Sequence, residues 1–362
     1  MTDLQFYQNK KVLVTGHTGF KGTWLCRILI QIGADLVGYS LPPQSDFFAL
    51  SEVENQMCSI IGDIRDLDHL KSVFREHQPQ VVFHLAAQPI VRVSYDEPVQ
   101  TYETNVMGTV NLLECVRLFP CVESVLNITT DKVYENKEWS RGYVETDNLN
   151  GHDPYSNSKS CSELVTHSYI QSFFTEKNAP VISTARAGNV IGGGDDAKDR
   201  IIPDCVRAWK NGSTVTIRRP HSVRPFQHVL EPLFAYLTIA RRQCEDRSLA
   251  GNYNVGPRDE DCIETGRLTE LFAAATREDP TDLLPNALQW EIRDIGGPPE
   301  ANFLKLNCTK IREIFGYQPR WDIQRAVAET VAWTRVRLSG GDIPREMDRE
   351  IETFLATKSC ER

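Results

Sequence analysis

K-V-L-V-T-G-H-T-G-F-K-G-T-W-L-C-R-I-L-I-Q-I, residues 11–32, is the stretch on which the fold turns. Residues 11–15 are a short, Val-rich apolar run of the kind buried inside a parallel sheet, and W-L-C-R-I-L-I-Q-I-G (24–33) reads as a helix. Gly16, Gly19 and Gly22 lie between them. A strand that passes through glycines into a helix presents backbone N–H groups without side chains in the way, which is what a dinucleotide's pyrophosphate requires. The spacing is G-x-x-G-x-x-G, not the commoner G-x-G-x-x-G, and three glycines also suit a plain tight turn. The place of the loop, on the first strand–helix junction, favours the cofactor.

Outward from this unit the alternation continues. Strands are expected at 35–39, 58–64, 81–86, 124–129 and 180–186, with helices at 66–77 and 104–116 between them. Right-handed crossovers then give an α/β, doubly wound parallel sheet of the Rossmann kind. After about residue 190 Pro, Gly and Arg become frequent, and amphipathic helices are expected at 229–243, 267–276 and 322–338. The reading is a dinucleotide-binding domain over 1–188. A smaller mixed α/β substrate-binding region then spans 189–362, with some segments returning to the first. The last stretch, G-G-D-I-P-R-E-M-D-R-E-I-E-T-F-L, reads as a turn and helix.

With 362 residues, 41% hydrophobic and 25% charged, the chain has the composition of a globular protein with a large core. A net charge of −9 argues against a nucleic-acid partner, though local Arg and Lys still suit a phosphate-bearing small molecule. The ten cysteines form no C-x-x-C pair, and no metal site is expected. M-T-D-L-Q-F-Y-Q-N-K lacks the apolar core of a signal peptide, and no run approaches the roughly 18 apolar residues of a membrane span. No membrane partner and a cytoplasmic, reducing location are therefore expected.

Two further places carry chemistry. In D-P-Y-S-N-S-K, Tyr155 and Lys159 stand four residues apart behind Pro154, on one face of a helix. The lysine's charge is expected to lower the tyrosine's pKa and make it a base for a sugar hydroxyl. N-I-T-T-D-K-V-Y delivers Asp131 and Lys132 together at a strand's carboxyl end, either as a solvated ion pair or as an acid and a base facing a ligand. The second strand ends G-Y-S-L-P, with no acid for a ribose and no Arg for a 2′-phosphate, which favours NAD over NADP. Asp63 suits either an adenine contact or a helix N-cap.

The glycine loop, L-A-A (85–87), Asn105 and the Tyr155/Lys159 pair together resemble the extended short-chain dehydrogenase/reductase family over nearly the whole chain. T-D-K-V-Y-E-N, G-H-D-P-Y-S-N-S-K, R-A-G-N-V-I-G-G-G-D and R-P-F-Q-H-V-L-E-P-L sharpen the resemblance to its nucleotide-sugar 4,6-dehydratases. The resemblance implies tightly bound NAD held by Gly16, Thr18, Gly19, Phe20, Lys21, Gly22, Asp63, Ile64, Leu85, Ala86, Ala87, Asn105, Tyr155 and Lys159. It assigns Tyr155 and Lys159 to oxidation at C4 with Thr130 as a hydroxyl partner, and Asp131 and Lys132 to loss of water across C5 and C6. Lys132 stands where dehydratases of dTDP-glucose carry Glu, as in the branch acting on CDP-glucose.

For the substrate, the resemblance implies Arg224 and Asn189 at the diphosphate, and Gln88, Arg92, Lys198 and Arg200 are further candidates. A homodimer or homotetramer is implied in the same way. Two departures stand out: P-P-E-A (298–301) replaces P-H-E-A, and D-A-K-D-R after the glycine run lacks the usual Trp. A nucleotide-sugar 4-epimerase or reductase would use Tyr155 and Lys159 but not the Asp131/Lys132 pair, and a non-catalytic regulator would need neither.

Overall fold

A computed structural model describes residues 2–277, 287–293 and 303–358. Its core is a seven-stranded sheet with every pairing parallel. The strands are β1 (Lys11–Thr15), β2 (Asp35–Ser40), β3 (Cys58–Ile61), β4 (Val81–His84), β5 (Ser124–Thr130), β6 (Val181–Ala187) and, after four short strands, β11 (Asn252–Val255). Their order across the sheet is β3-β2-β1-β4-β5-β6-β11. The direction of winding reverses between β1 and β4, so the crevice at the carboxyl ends of those two strands is where a doubly wound sheet takes its ligand. β4, β5 and β6 are buried along their whole length, which is why they read as near-continuous runs with few charges.

Helices cover both faces. α1 (Phe20–Ile32) follows the glycine loop, and α2 (Leu67–His77) starts where the Asp66 carboxylate accepts the His69 N–H at 3.0 Å. α3 (Gly108–Leu118) and α4 (Pro154–Phe173) lie against β4 and β5, α4 being capped by Asp153 with Pro154 in its first turn. The helix expected at 104–116 differs at its start. Glu103–Met107 is a π-helical turn, and the α-helix begins only at Gly108. A Cβ on Gly108 would sit 2.7 Å from Ile64 Cγ2, and the widened turn carries the Asn105 amide inward to Gln88 and Ser158.

The second half forms a smaller core beyond the carboxyl edge. Three two-stranded pairings, β7 (Val190–Ile191) with β10 (Gln227–His228), β8 (Thr214–Ile217) with β13 (Gln289–Ile292), and β9 (Val223–Pro225) with β12 (Cys262–Glu264), frame it. α5 (Ile201–Lys210), α7 (Thr265–Arg277) and α8 (Ile323–Leu338) fill it with Trp209, Leu268, Phe272, Val327 and Val331. α6 (Leu230–Glu245) instead returns to the main sheet, where the buried Gln243 amide donates to the Ser124 hydroxyl and the Val125 carbonyl. α9 (Ile343–Ala356) closes the chain onto α1 through Arg27 and Asp348, 2.5 Å apart. The P-P-E-A departure at 298–301 lies outside the described residues.

No helix among the described residues is long and apolar enough to cross a membrane. The described residues hold no cluster of three or more metal-ligating side chains and no disulfide.

Candidate active site

The glycine loop closes tightly on the switch point. Gly16 has φ +74°, and a Cβ there would meet the Ala86 nitrogen at 2.8 Å. A Cβ on Gly22 would lie 2.1 Å from the Gly16 carbonyl oxygen, so α1 starts where it does only because Gly22 has no side chain. Gly19 is the N-cap and offers no side chain, so the first-turn N–H groups of α1 remain for a ligand. Phe20 and Lys21 occupy that first turn, with the Phe20 ring 6.5 Å from Phe47. These features fit a dinucleotide's pyrophosphate.

The flanking strand ends complete the crevice. Leu85 N–H donates to the Thr15 carbonyl and Ala86 N–H to the Thr15 hydroxyl, which lays L-A-A along the loop. At the end of β2 the Thr18 hydroxyl meets Ser40 Oγ at 2.9 Å and donates to the Leu41 carbonyl. Asp63 is no N-cap, since Asp66 caps the next helix. Instead the Arg65 guanidinium grips Asp63 at 2.6 Å and holds its carboxyl below the usual range against the raising effect of burial. Ile64 is buried beneath Gly108.

At the carboxyl end of β5, Thr130, Asp131 and Lys132 face Tyr155 and Lys159 from the first turns of α4. The Thr130 hydroxyl donates to Asp131 Oδ1 at 2.9 Å and lies close enough to the Tyr155 phenol to oppose the rise in its pKa. Asp131 is fully buried, and its Oδ2 has no hydrogen-bond partner among the described residues. Burial raises its pKa, against the pull of Lys132, Thr130, Arg224 and Lys21. Lys132 is part-exposed beside it.

The expected fall in the tyrosine's pKa is not found. Burial pushes Tyr155 up to about 12, and the influences opposing it are Thr130 and then Arg200. The Lys159 ammonium is turned instead to the Ile128 carbonyl at 3.1 Å, and burial brings it down to about 8 while Glu163 pulls the other way. Same-face spacing on a helix placed the two residues together, but desolvation outweighs what one ammonium does for the phenol.

The substrate-side candidates separate. Arg224 is buried on β9, donates to the Val223 carbonyl, and lies within electrostatic reach of Asp131. Asn189 is half-buried between β6 and β7, its carbonyl accepting the Gln227 N–H. Arg200 pairs with Asp195, while Lys198 is exposed. Arg92 pairs with Asp199, which Arg218 also holds. The Gln88 amide is committed inside the protein, donating to Thr101 and accepting from Ile90 N–H. Asn105 likewise clamps Gln88 to Ser158 on α4, so both act on the shape of the crevice.

Several residues behind the site carry no local motif. His84 bridges the Thr15 and Thr109 hydroxyls and is held neutral, its pKa brought down to about 3 by burial and by Lys159. Glu163, one turn after Lys159, forms a fully buried ion pair with Arg186 at 2.8 Å and accepts from Thr129 and Thr184. His17 fills the gap over Gly38, where a Cβ would be 2.3 Å from its ring. Its Nε2 meets Ser59 Oγ at 2.9 Å, and burial brings it down to about 4. Only the small residue in G-Y-S hinted at such a neighbour.

A family model described as GDP-mannose 4,6 dehydratase matches residues 13–330. The chain belongs to this dehydratase family. Within reach of it, a protein of Salmonella typhimurium named CDP-glucose 4,6-dehydratase is 43% identical over 98% of this chain and 99% of its own length. A Haemophilus influenzae protein named dTDP-glucose 4,6-dehydratase is 26% identical over 89% of this chain and 97% of its own. Among solved structures, dTDP-glucose 4,6-dehydratase of Streptomyces venezuelae with NAD bound has a TM-score of 0.75 at 23% identity, covering 91% of this chain and 98% of that one. A Thermotoga maritima UDP-glucose 4-epimerase has a TM-score of 0.76 at 22% identity, covering 90% and 99%. Dehydratases and epimerases thus share this architecture, and the family's dehydratase chemistry has to be sought in side chains.

Proposed function

We propose that the protein is an NAD-dependent lyase that converts CDP-glucose to CDP-4-dehydro-6-deoxyglucose, a step of deoxysugar biosynthesis. The observation that carries this reading is the buried Asp131 with an unpartnered Oδ2, set beside Lys132 and joined through Thr130 to Tyr155. An epimerase would have no use for that acid and amine. The 43% identity to a CDP-glucose 4,6-dehydratase supports the same nucleotide sugar. NAD held by Gly16, Gly19, Gly22 and the first turn of α1 would supply the redox chemistry, as hydride acceptor at C4 and donor at C6.

The chain's own residues manage the protons. Tyr155, as its phenolate and with Thr130 beside it, takes the proton of the C4 hydroxyl; Arg200 is the cation that opposes the rise burial imposes on the phenol. Once C4 is a ketone, C5–H is acidic. Lys132 removes that proton, and Asp131, whose carboxyl burial pushes toward the protonated form, gives its proton to the departing C6 hydroxyl. Asp131 gives one proton as Lys132 takes one, so the net charge of the pair is unchanged by the elimination. Lys132 then returns a proton to C5 when C6 is reduced. The proton taken at the C4 oxygen is the one Asp131 must recover, and Thr130, hydrogen-bonded to Asp131 and close to the Tyr155 phenol, stands between the two. Arg224 and Asn189 hold the diphosphate, with Arg200 nearer the sugar.

Incubation with CDP-glucose in deuterated water, followed by mass spectrometry, tests the reading. Loss of water with one deuterium kept in the 4-keto product is expected, with dTDP-glucose a poorer substrate. Intact sugar from a protein shown to hold NAD would overturn it.

The protein acts as a homodimer, or as a tetramer built from it. Apolar side chains stand out on α4 and on the turn before α3 that packs against it: Met107 and Phe173 are 50% exposed and Leu164 55%. Leu164→Glu is expected to shift the species seen by light scattering to the monomer; an unchanged mass would place the contact elsewhere. The nine described cysteines, none in a disulfide, accord with a reducing cytoplasm.

A further inference from the structure

Lys21 is the one charged side chain between Gly16 and Gly22. It sits in the first turn of α1 between Gly19 and Gly22, part-buried, with its Nζ 5.9 Å from the centroid of the Tyr236 ring. Tyr236 comes from α6, which packs on the main sheet beside α1; it is fully buried and lies within electrostatic reach of Tyr155. The ammonium therefore bridges the loop that receives the pyrophosphate and the pocket that holds Tyr155. Burial, with Arg200 and Lys159 nearby, brings it down to about 7, while Asp131 and Asp195 pull the other way.

A dinucleotide lying on this loop has to run its nicotinamide past Lys21 to reach the sugar carbon next to Tyr155. The oxidised ring carries a positive charge and the reduced ring none, while the pyrophosphate is the same in both. A fixed cation beside the ring therefore weakens binding of the oxidised form more than that of the reduced form. We propose that Lys21 sets the redox poise of the bound cofactor, making it a stronger oxidant for the C4 hydroxyl. The inference rests on the NAD reading above. It assigns Lys21 a role that backbone contacts at the loop do not require.

The full-length protein, freed of nucleotide, is titrated separately with NAD⁺ and NADH at pH 6, where Lys21 carries its proton. The variants are Lys21→Met, which removes the charge, and Lys21→Arg, which keeps it. The ratio of the NAD⁺ to the NADH dissociation constant is expected to fall about tenfold in Lys21→Met, equivalent to about 30 mV for a two-electron couple. It stays at the wild-type value in Lys21→Arg. Equal weakening of both forms in Lys21→Met would mean that the ammonium merely holds the pyrophosphate, and overturns the inference. So does an unchanged ratio with unchanged affinities. Failure of the wild type to bind either form would instead bring down the NAD reading, and this inference with it. Should Lys21→Met not fold, Lys21→Gln is measured in the same way with the same expectation.

Discussion

Lys132→Ala is expected to leave the protein folded and NAD bound while slowing the loss of water by about 10²–10⁴-fold, the usual contribution of a positioned base. Lys132 is part-exposed at the end of β5, so alanine creates no cavity there. Its charge is the foremost of the influences holding Asp131 down against burial. Without it the carboxyl rises further and stays protonated, so the acid remains and the base is lost. Oxidation at C4 should then proceed to a standstill, seen as near-ultraviolet absorbance of the reduced cofactor appearing in a single turnover and persisting. Turnover at the wild-type rate would remove Lys132 from the chemistry, and loss of NAD binding would make its role structural.

The largest expected effect on stability is at Glu163. Glu163 and Arg186 are both nearly inaccessible, and the guanidinium also donates to the Tyr134 phenol and the Glu145 carbonyl. Through Thr129, Thr184 and Arg186 this one carboxylate ties α4 to β5 and β6 directly behind Lys159. Glu163→Ala strands a buried guanidinium, and breaking such a pair is worth about 3–5 kcal/mol. That is a large part of the roughly 5–15 kcal/mol that holds a typical protein folded. Urea unfolding monitored by circular dichroism would read it. The double substitution Glu163→Leu with Arg186→Met should recover much of the loss, because no unpaired charge remains. A loss below about 1 kcal/mol for Glu163→Ala, as for an exposed pair, would show that water reaches the junction.

The winding of the sheet, the glycine loop, the Tyr155–Lys159 pair and the Asp131–Lys132 pair were legible in the residues alone, because each is local. The first is an alternation of short apolar runs with helical ones. The others are spacings of at most a few residues, which backbone geometry turns directly into shared faces and strand ends. Only the tertiary structure brought Thr130 and Asp131 at the end of β5 against Tyr155 on α4, and Arg224 and Lys21 within reach of the same carboxylate. It also decided that β11 completes the sheet and that Gln88 and Asn105 brace the crevice from inside. The direction of Tyr155's shift was illegible for the same reason. A pKa in a protein depends on everything that excludes water from the group, and that comes from α6, β5 and the loop after β7 as much as from Lys159, four residues along the chain.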